Sequence, residues 1–236
     1  MKQVSFQFFF CVTAALSLLL FAQLSQAQDQ PIAFTGAEII PVTGPSISNG
    51  VMIIEDGKIV EVGAAGSIAI PSNAETVDVS GQVIMPGLVD SHSHIGEGDG
   101  GDRSSALHPD VRIMDTINPT SDSFKRALSG GITTVNIMPG SGHLMSGQTV
   151  YLKTKEANTI EEMLVYTDEE NTIYGGLKMA NGTNSIRSGG GPFPGTRARS
   201  AALVRNMYIK AMEYRETVEA ADRKSTRLNS SHVCSS

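Results

Sequence analysis

The sequence predicts an α/β fold: a small β module, then a sheet whose parallel strands alternate with helices. Three observations predict it. Short β-branched runs joined by turn signals fill residues 31–80. From Val83 onward, nearly continuous apolar runs alternate with stretches of helical periodicity, as in sheets covered on both faces. A hydrophobic content of 40% with 18% charged residues excludes a disordered chain.

The chain of 236 residues begins with Lys2, a mostly apolar run over 6–21, and small residues at Ser25 and Ala27. That order is the pattern of a secretory signal peptide over 1–27. It implies a periplasmic or secreted protein with no stable membrane anchor after cleavage. An uncleaved anchor is the alternative reading of the same run.

Residues 28–82 form the β module. The run 50–55 is apolar and β-branched, Asp56-Gly57 is a hairpin turn signal, and 58–62 alternates beyond it. Residues 76–79 give another strand, so an antiparallel module is expected. The run 83–89 then reads as a strand covered on both faces. A polar, Gly-rich loop follows over 96–120. Residues 121–128 predict a helix, with Ser121 or Asp122 as N-cap and Gly130 as its stop.

Residues 132–138, 148–153 and 173–180 predict three further strands. Thr159 and Glu162 have capping-box spacing and predict a short helix through Val165. Residues 181–196 read as a loop, and 199–221 as a helix. Its stripe of Leu203, Met207, Ala211, Tyr214 and Val218 predicts packing on a sheet.

Residues 222–236 resemble a translated sequencing adapter, so a gene cut near Ala221 is expected. Cys11 and Cys234 then fall outside the domain, which excludes a disulfide framework and a Cys-based metal site. Residues 28–221 hold 14 Lys+Arg against 23 Asp+Glu. That acidic balance argues against nucleic acid as a partner.

The sharpest signal is Pro86-Gly87-Leu88-Val89-Asp90-Ser91-His92-Ser93-His94. Side chains two apart on a strand point the same way, so His92 and His94 face together. Neutral imidazoles so placed suit a divalent metal such as zinc. Loop histidines and arginines supply further candidates. His143 is a candidate for contacting substrate or donating a proton, and Arg187, Arg197 and Arg199 for binding a substrate carboxylate. His108 reads as a loop residue. Glu97, Asp99 and Asp102 lack EF-hand spacing, and Ser188-Gly189-Gly190-Gly191 lacks the Lys of a phosphate loop.

The stretch from Val51 to Gly96, above all Val83 to His94, resembles the start of the amidohydrolase superfamily, and its imidazolonepropionase-like secreted members in particular. Gly131-Ile132-Thr133-Thr134-Val135, Gly147-Gln148-Thr149-Val150 and the segment from Gly176 to Gly182 carry the same resemblance. It implies a partial (β/α)8 barrel over 83–221, about its first half, preceded by the N-terminal half of a small β-sandwich. It also implies one or two divalent ions, most simply zinc, with His92 and His94 as ligands. Some members carry a carboxylated lysine that bridges two metals. Lys178 matches that role best, with Lys153 as runner-up.

The family's remaining ligands, two histidines and an aspartate that serves as the base, are absent. A complete barrel needs about 250 residues. The expected activity is therefore hydrolysis of C–N bonds in a small-molecule or dipeptide-like substrate by metal-activated water, with this chain an inactive part of the enzyme. The rival reading is a secreted, non-catalytic binding protein on the same scaffold. Homo-oligomerisation stays open.

Overall fold

A computed structural model describes residues 30–98, 100–167, 172–187 and 191–233, with side chains through Lys224. The expected leader, Cys11, Asp99, Ser188-Gly189-Gly190 and Cys234 lie outside the described residues. The chain is mixed α/β and divides into two compact units between Pro86 and Gly87.

The first unit is one sheet. Its strands are β1 (Ile32–Ile39), β2 (Ile47–Glu55), β3 (Lys58–Ala64), β4 (Glu75–Asp78) and β5 (Val83–Ile84). Asp56-Gly57 joins β2 to β3 as a two-residue turn, with Glu55 opposite Lys58. Both turn residues have positive φ, 50° and 70°, the type I′ geometry that suits strand twist. The module is not purely antiparallel, however. β1 pairs antiparallel with β2 but parallel with β4 and β5. Ala33, Val51 and Ile53 bury against Ile68 and Ala74. These contacts hold β1 and β2 and leave Ile59 and Val60 of β3 exposed.

The expected strand over 83–89 is instead two strands in two units. Pro86 has no N–H to give a ladder, and the backbone at Gly87 passes close against the Thr133 side chain. β5 therefore ends at Ile84 on β1, and β6 (Leu88–Ser93) starts a new sheet. Nor is this run covered on both faces: Leu88 is 51% exposed and Val89 60%.

In the second unit β6 pairs parallel with β7 (Ile132–Ile137), and α1 (Asp122–Ser129) connects them. Ser121 caps α1, accepting the Ser123 N–H, and Gly130 ends it. β8 (Met145–Gln148) pairs antiparallel with β10 (Leu177–Met179). β9 (Val150–Lys153) pairs antiparallel with β7, so this sheet is mixed where only parallel strands were expected. Phe124 of α1, Val135 and Ile137 of β7, and Val150 and Leu152 of β9 share one core with Ile113, Ile117 and Met163. Alternate residues of β7 face that core, which fixes its register.

Three other expectations change. The segment after Thr159 is a 3₁₀ turn over Glu161–Met163, not a capped helix. Glu162 accepts from the Asn158 N–H at 3.0 Å, one residue too early for a capping box. The fourth strand shortens to β10, because Gly175-Gly176 precedes it and Ile173 bridges to Tyr166 instead. The loop after β10 contains α2 (Thr183–Ile186), tied down by buried Ser185, whose hydroxyl donates to the Ala180 carbonyl at 2.8 Å.

The last element, α3, runs from Arg197 to Val233, through most of the segment read as adapter-derived. Its stripe does not lie on a sheet along its length. Leu203 and Met207 are half-buried, while Ala211, Tyr214 and Val218 are exposed. Periodicity shows which face is apolar, not what covers it.

Candidate metal centre

β6 delivers His92 and His94 on either side of buried Ser93. Their rings meet edge to face with centroids 5.2 Å apart. The Asp90 carboxylate accepts the His92 backbone N–H at 3.0 Å and steadies the strand end. β7 fixes the second imidazole, since His94 Nδ1 lies 2.8 Å from the Met138 carbonyl. That carbonyl can only accept, so Nδ1 carries the proton and Nε2 keeps a free lone pair in the neutral ring. A backbone acceptor behind an imidazole is the usual support of a metal-ligating histidine.

β10 supplies Lys178. Its Nζ lies 3.3 Å from His92 Nε2 and 3.3 Å from Met138 Sδ. Residues 86 positions apart thus meet at the ends of β6, β7 and β10. Lys153, the runner-up, donates instead to Thr134 Oγ1 at 2.9 Å. Among the described residues no group of three or more His, Cys, Asp or Glu side chains could hold a metal ion. The donor set here is two imidazoles and one lysine nitrogen. It fits part of a divalent-metal site, provided the lysine is not cationic, because an ammonium group would repel the ion.

His143 does not sit among these three contacts. It is 2% exposed, on the turn after β7, between His108 at 5.8 Å and Phe193 at 5.6 Å, measured between ring centroids. Among the described residues neither of its ring nitrogens has a hydrogen-bond partner. Burial, then the Arg187 guanidinium and His108, hold its pKa below the ordinary imidazole value, with Arg103 adding to the same effect and Asp102 opposing it. Arg187 lies over the Phe193 ring, 4.3 Å from its centroid. Both His143 and Arg187 line a cavity of about 580 Å³. Arg197 is exposed at the start of α3 and does not line that cavity.

Sequence reasoning missed part of this cluster. Arg103 and Arg112 also line the cavity. His108 is buried, with Nε2 3.0 Å from the Ser105 carbonyl and 3.7 Å from Asp102. Positions 103 and 112 share no periodicity with 143 and 187, so no local pattern announced Arg103 and Arg112 beside the candidates His143 and Arg187.

No protein-family model matches the chain. An imidazolonepropionase from Rhizobium rhizogenes is 33% identical over 157 residues, covering 66% of this chain and 34% of that protein. An enamidase from Eubacterium barkeri is 29% identical over 102 residues, covering 43% of this chain and 22% of its own length. Among solved structures, an amidohydrolase from Thermotoga maritima superposes with a TM-score of 0.67 at 30% identity, over 81% of this chain and 50% of that one. The chain therefore spans between about a fifth and a half of these relatives. These relatives and the superposed structure agree with the motif that ends β6: over the part they share, the chain is similar to amidohydrolases, imidazolonepropionases among them.

Proposed function

We propose that the whole protein is a periplasmic or secreted hydrolase of C–N bonds in amides, cyclic amides or dipeptides, dependent on a divalent metal, most simply zinc. The observation that carries this is the meeting of His92 and His94, at the end of β6, with Lys178 of β10. In this reading the second unit is the first part of a (β/α)8 barrel and the first unit is half of a small sandwich. Active sites of such barrels form at the C-terminal ends of strands, where His92, His94 and Met138 stand.

His92 and His94 hold the metal through their neutral imidazoles. Lys178 joins them when its cation is removed, and carboxylation does that while adding anionic oxygens. A bound divalent ion supplies Lewis acidity, which makes water nucleophilic near neutral pH and polarises an amide carbonyl. The Met138 carbonyl keeps His94 in the tautomer that can ligate. Two imidazoles and a lysine do not complete a catalytic site, so the chain alone is expected to bind metal and not to turn over. The similarity to an imidazolonepropionase and an enamidase supports C–N hydrolysis as the reaction class.

The test strips metal from the protein with a chelator, restores zinc and assays dipeptides and cyclic amides with the full-length gene product. Zinc-dependent release of amine, lost in His92→Ala/His94→Ala, supports the reading. Hydrolysis that survives both the stripping and the double substitution contradicts it.

A further inference from the structure

We infer that Asn136 is a positioning residue of the metal centre: from β7 it holds the peptide between Ser91 and His92, and so sets where His92 stands relative to His94. The inference rests on the reading of those two histidines as metal ligands.

The ladder between β6 and β7 is the first observation. Asp90 stands opposite Val135, and Ser93 opposite Ile137. Three steps along β6 therefore match two along β7, and the extra residue falls at Ser91–His92. Such an insertion is a β-bulge, which bends its strand and re-aims the side chains it carries. Strand alternation puts His92 and His94 on one face. The bulge then sets how the rings stand to each other, here with centroids 5.2 Å apart and planes at 75°.

Side chains hold both polar groups of the bulged peptide. The His92 N–H donates to the Asp90 carboxylate at 3.0 Å. The Ser91 carbonyl accepts from Asn136 Nδ2 at 3.4 Å. A carbonyl can only accept, so this bond also decides which way the Asn136 amide points. The Asp90 bond is internal to β6 and would follow the strand if it shifted. The Asn136 bond, though long, anchors the peptide to a second strand, 45 residues away in the chain.

β7 is a firm base for that anchor. Val135 and Ile137, on either side of Asn136, are buried with Phe124 of α1 and Leu152 of β9. Asn136 stands opposite Tyr151 of β9 and lies on the other face of β7 from those two. Two residues further on, the Met138 carbonyl holds His94 Nδ1 at 2.8 Å. One strand thus fixes both histidines, His92 through its peptide and His94 through its ring. A metal ion needs its ligand nitrogens at a set separation, and the groups that enforce it from behind are worth about 10–100-fold in affinity.

The experiment is zinc titration of the whole chain against a competing chelator, with amide hydrogen exchange followed by NMR on the metal-free samples. Asn136→Leu keeps the side-chain volume and removes the donor, and Asn136→Ala removes the donor without crowding the strand. Both are expected to weaken zinc binding about tenfold or more. Both are also expected to speed exchange of the His92 amide about fivefold, the size of one lost hydrogen bond, with the Val135 and Leu152 amides unchanged. Thr134→Val is the control. Thr134 shares the Asn136 face of β7, but its hydroxyl takes Lys153 Nζ at 2.9 Å, so zinc binding is expected to be unchanged.

Unchanged zinc affinity in either Asn136 variant, unchanged exchange at His92, or an equal loss of affinity in Thr134→Val would overturn the inference. His92→Ala/His94→Ala is titrated alongside. No zinc uptake by the parent chain, or uptake untouched by that double substitution, contradicts the metal reading and takes this inference with it. Uptake lost there but kept in the Asn136 variants contradicts this inference alone.

Discussion

Lys178 Nζ stands 3.3 Å from His92 Nε2, across 86 residues of chain. A lysine ammonium donates readily to a neutral imidazole, and in doing so it occupies the lone pair a metal would use. The same nitrogen, converted to an anionic carboxylated group, would attract the ion instead. Zinc uptake is therefore expected to rise with added bicarbonate, and Lys178→Gln is expected to lose that response. Equilibrium dialysis at fixed pH measures it. A bicarbonate effect of equal size in the variant would exclude Lys178 from the site.

His143 sets a pH dependence of stability. Burial, first, then Arg187 and His108, lower its folded-state pKa. The unfolded value is about 6.5. Below that pH the unfolded chain binds more protons, so stability from the neutral ring is complete above about pH 6.5 and falls as pH drops toward the folded value. His143→Gln keeps polar atoms in the pocket without the titration. Melting temperatures across that range are expected to fall less with acid in the variant, and parallel curves would refute this.

Phe124 ties α1 to β7 and β9. It is 3% exposed and packs with Val135, Ile137, Val150 and Leu152. Phe124→Ala is expected to cost about 3–5 kcal/mol, as other large-to-small core changes do. Denaturant unfolding of the chain reads this, and a loss below about 1 kcal/mol would mean the helix is not held by that ring.

Gly57 tests the hairpin apart from packing. Its φ is +70°, and nothing lies within 4 Å of an added Cβ. Gly57→Ala is expected to cost about 1–2 kcal/mol from the left-handed backbone alone. Asp56→Asn is expected to be neutral, since asparagine tolerates the same conformation. Thermal unfolding distinguishes the two.

What was legible in the sequence was local. Asp56-Gly57 specifies its turn through two positive φ values, Ser121 caps α1 with its own hydroxyl, and His92 and His94 share a face by strand alternation. What was not legible depends on partners far along the chain. The run 83–89 looks like one buried strand, but Pro86 breaks it and nothing in its apolar letters says what covers Leu88 and Val89. The stripe of α3 is real as a pattern, yet Tyr214 is 72% exposed. The antiparallel pairing of β9 with β7 joins segments separated by a loop and by β8, and no periodicity encodes its direction. Likewise His143 meets Arg187 and Phe193 only once two loops far apart in the chain are placed.

The most direct test of the metal centre is X-ray absorption on the zinc-loaded chain. The account predicts imidazole scattering with zinc–nitrogen distances of about 2.0–2.1 Å. It also predicts that His92→Ala/His94→Ala abolishes both that signal and near-stoichiometric uptake. Zinc held without imidazole nitrogens, or taken up equally by the double variant, would contradict it.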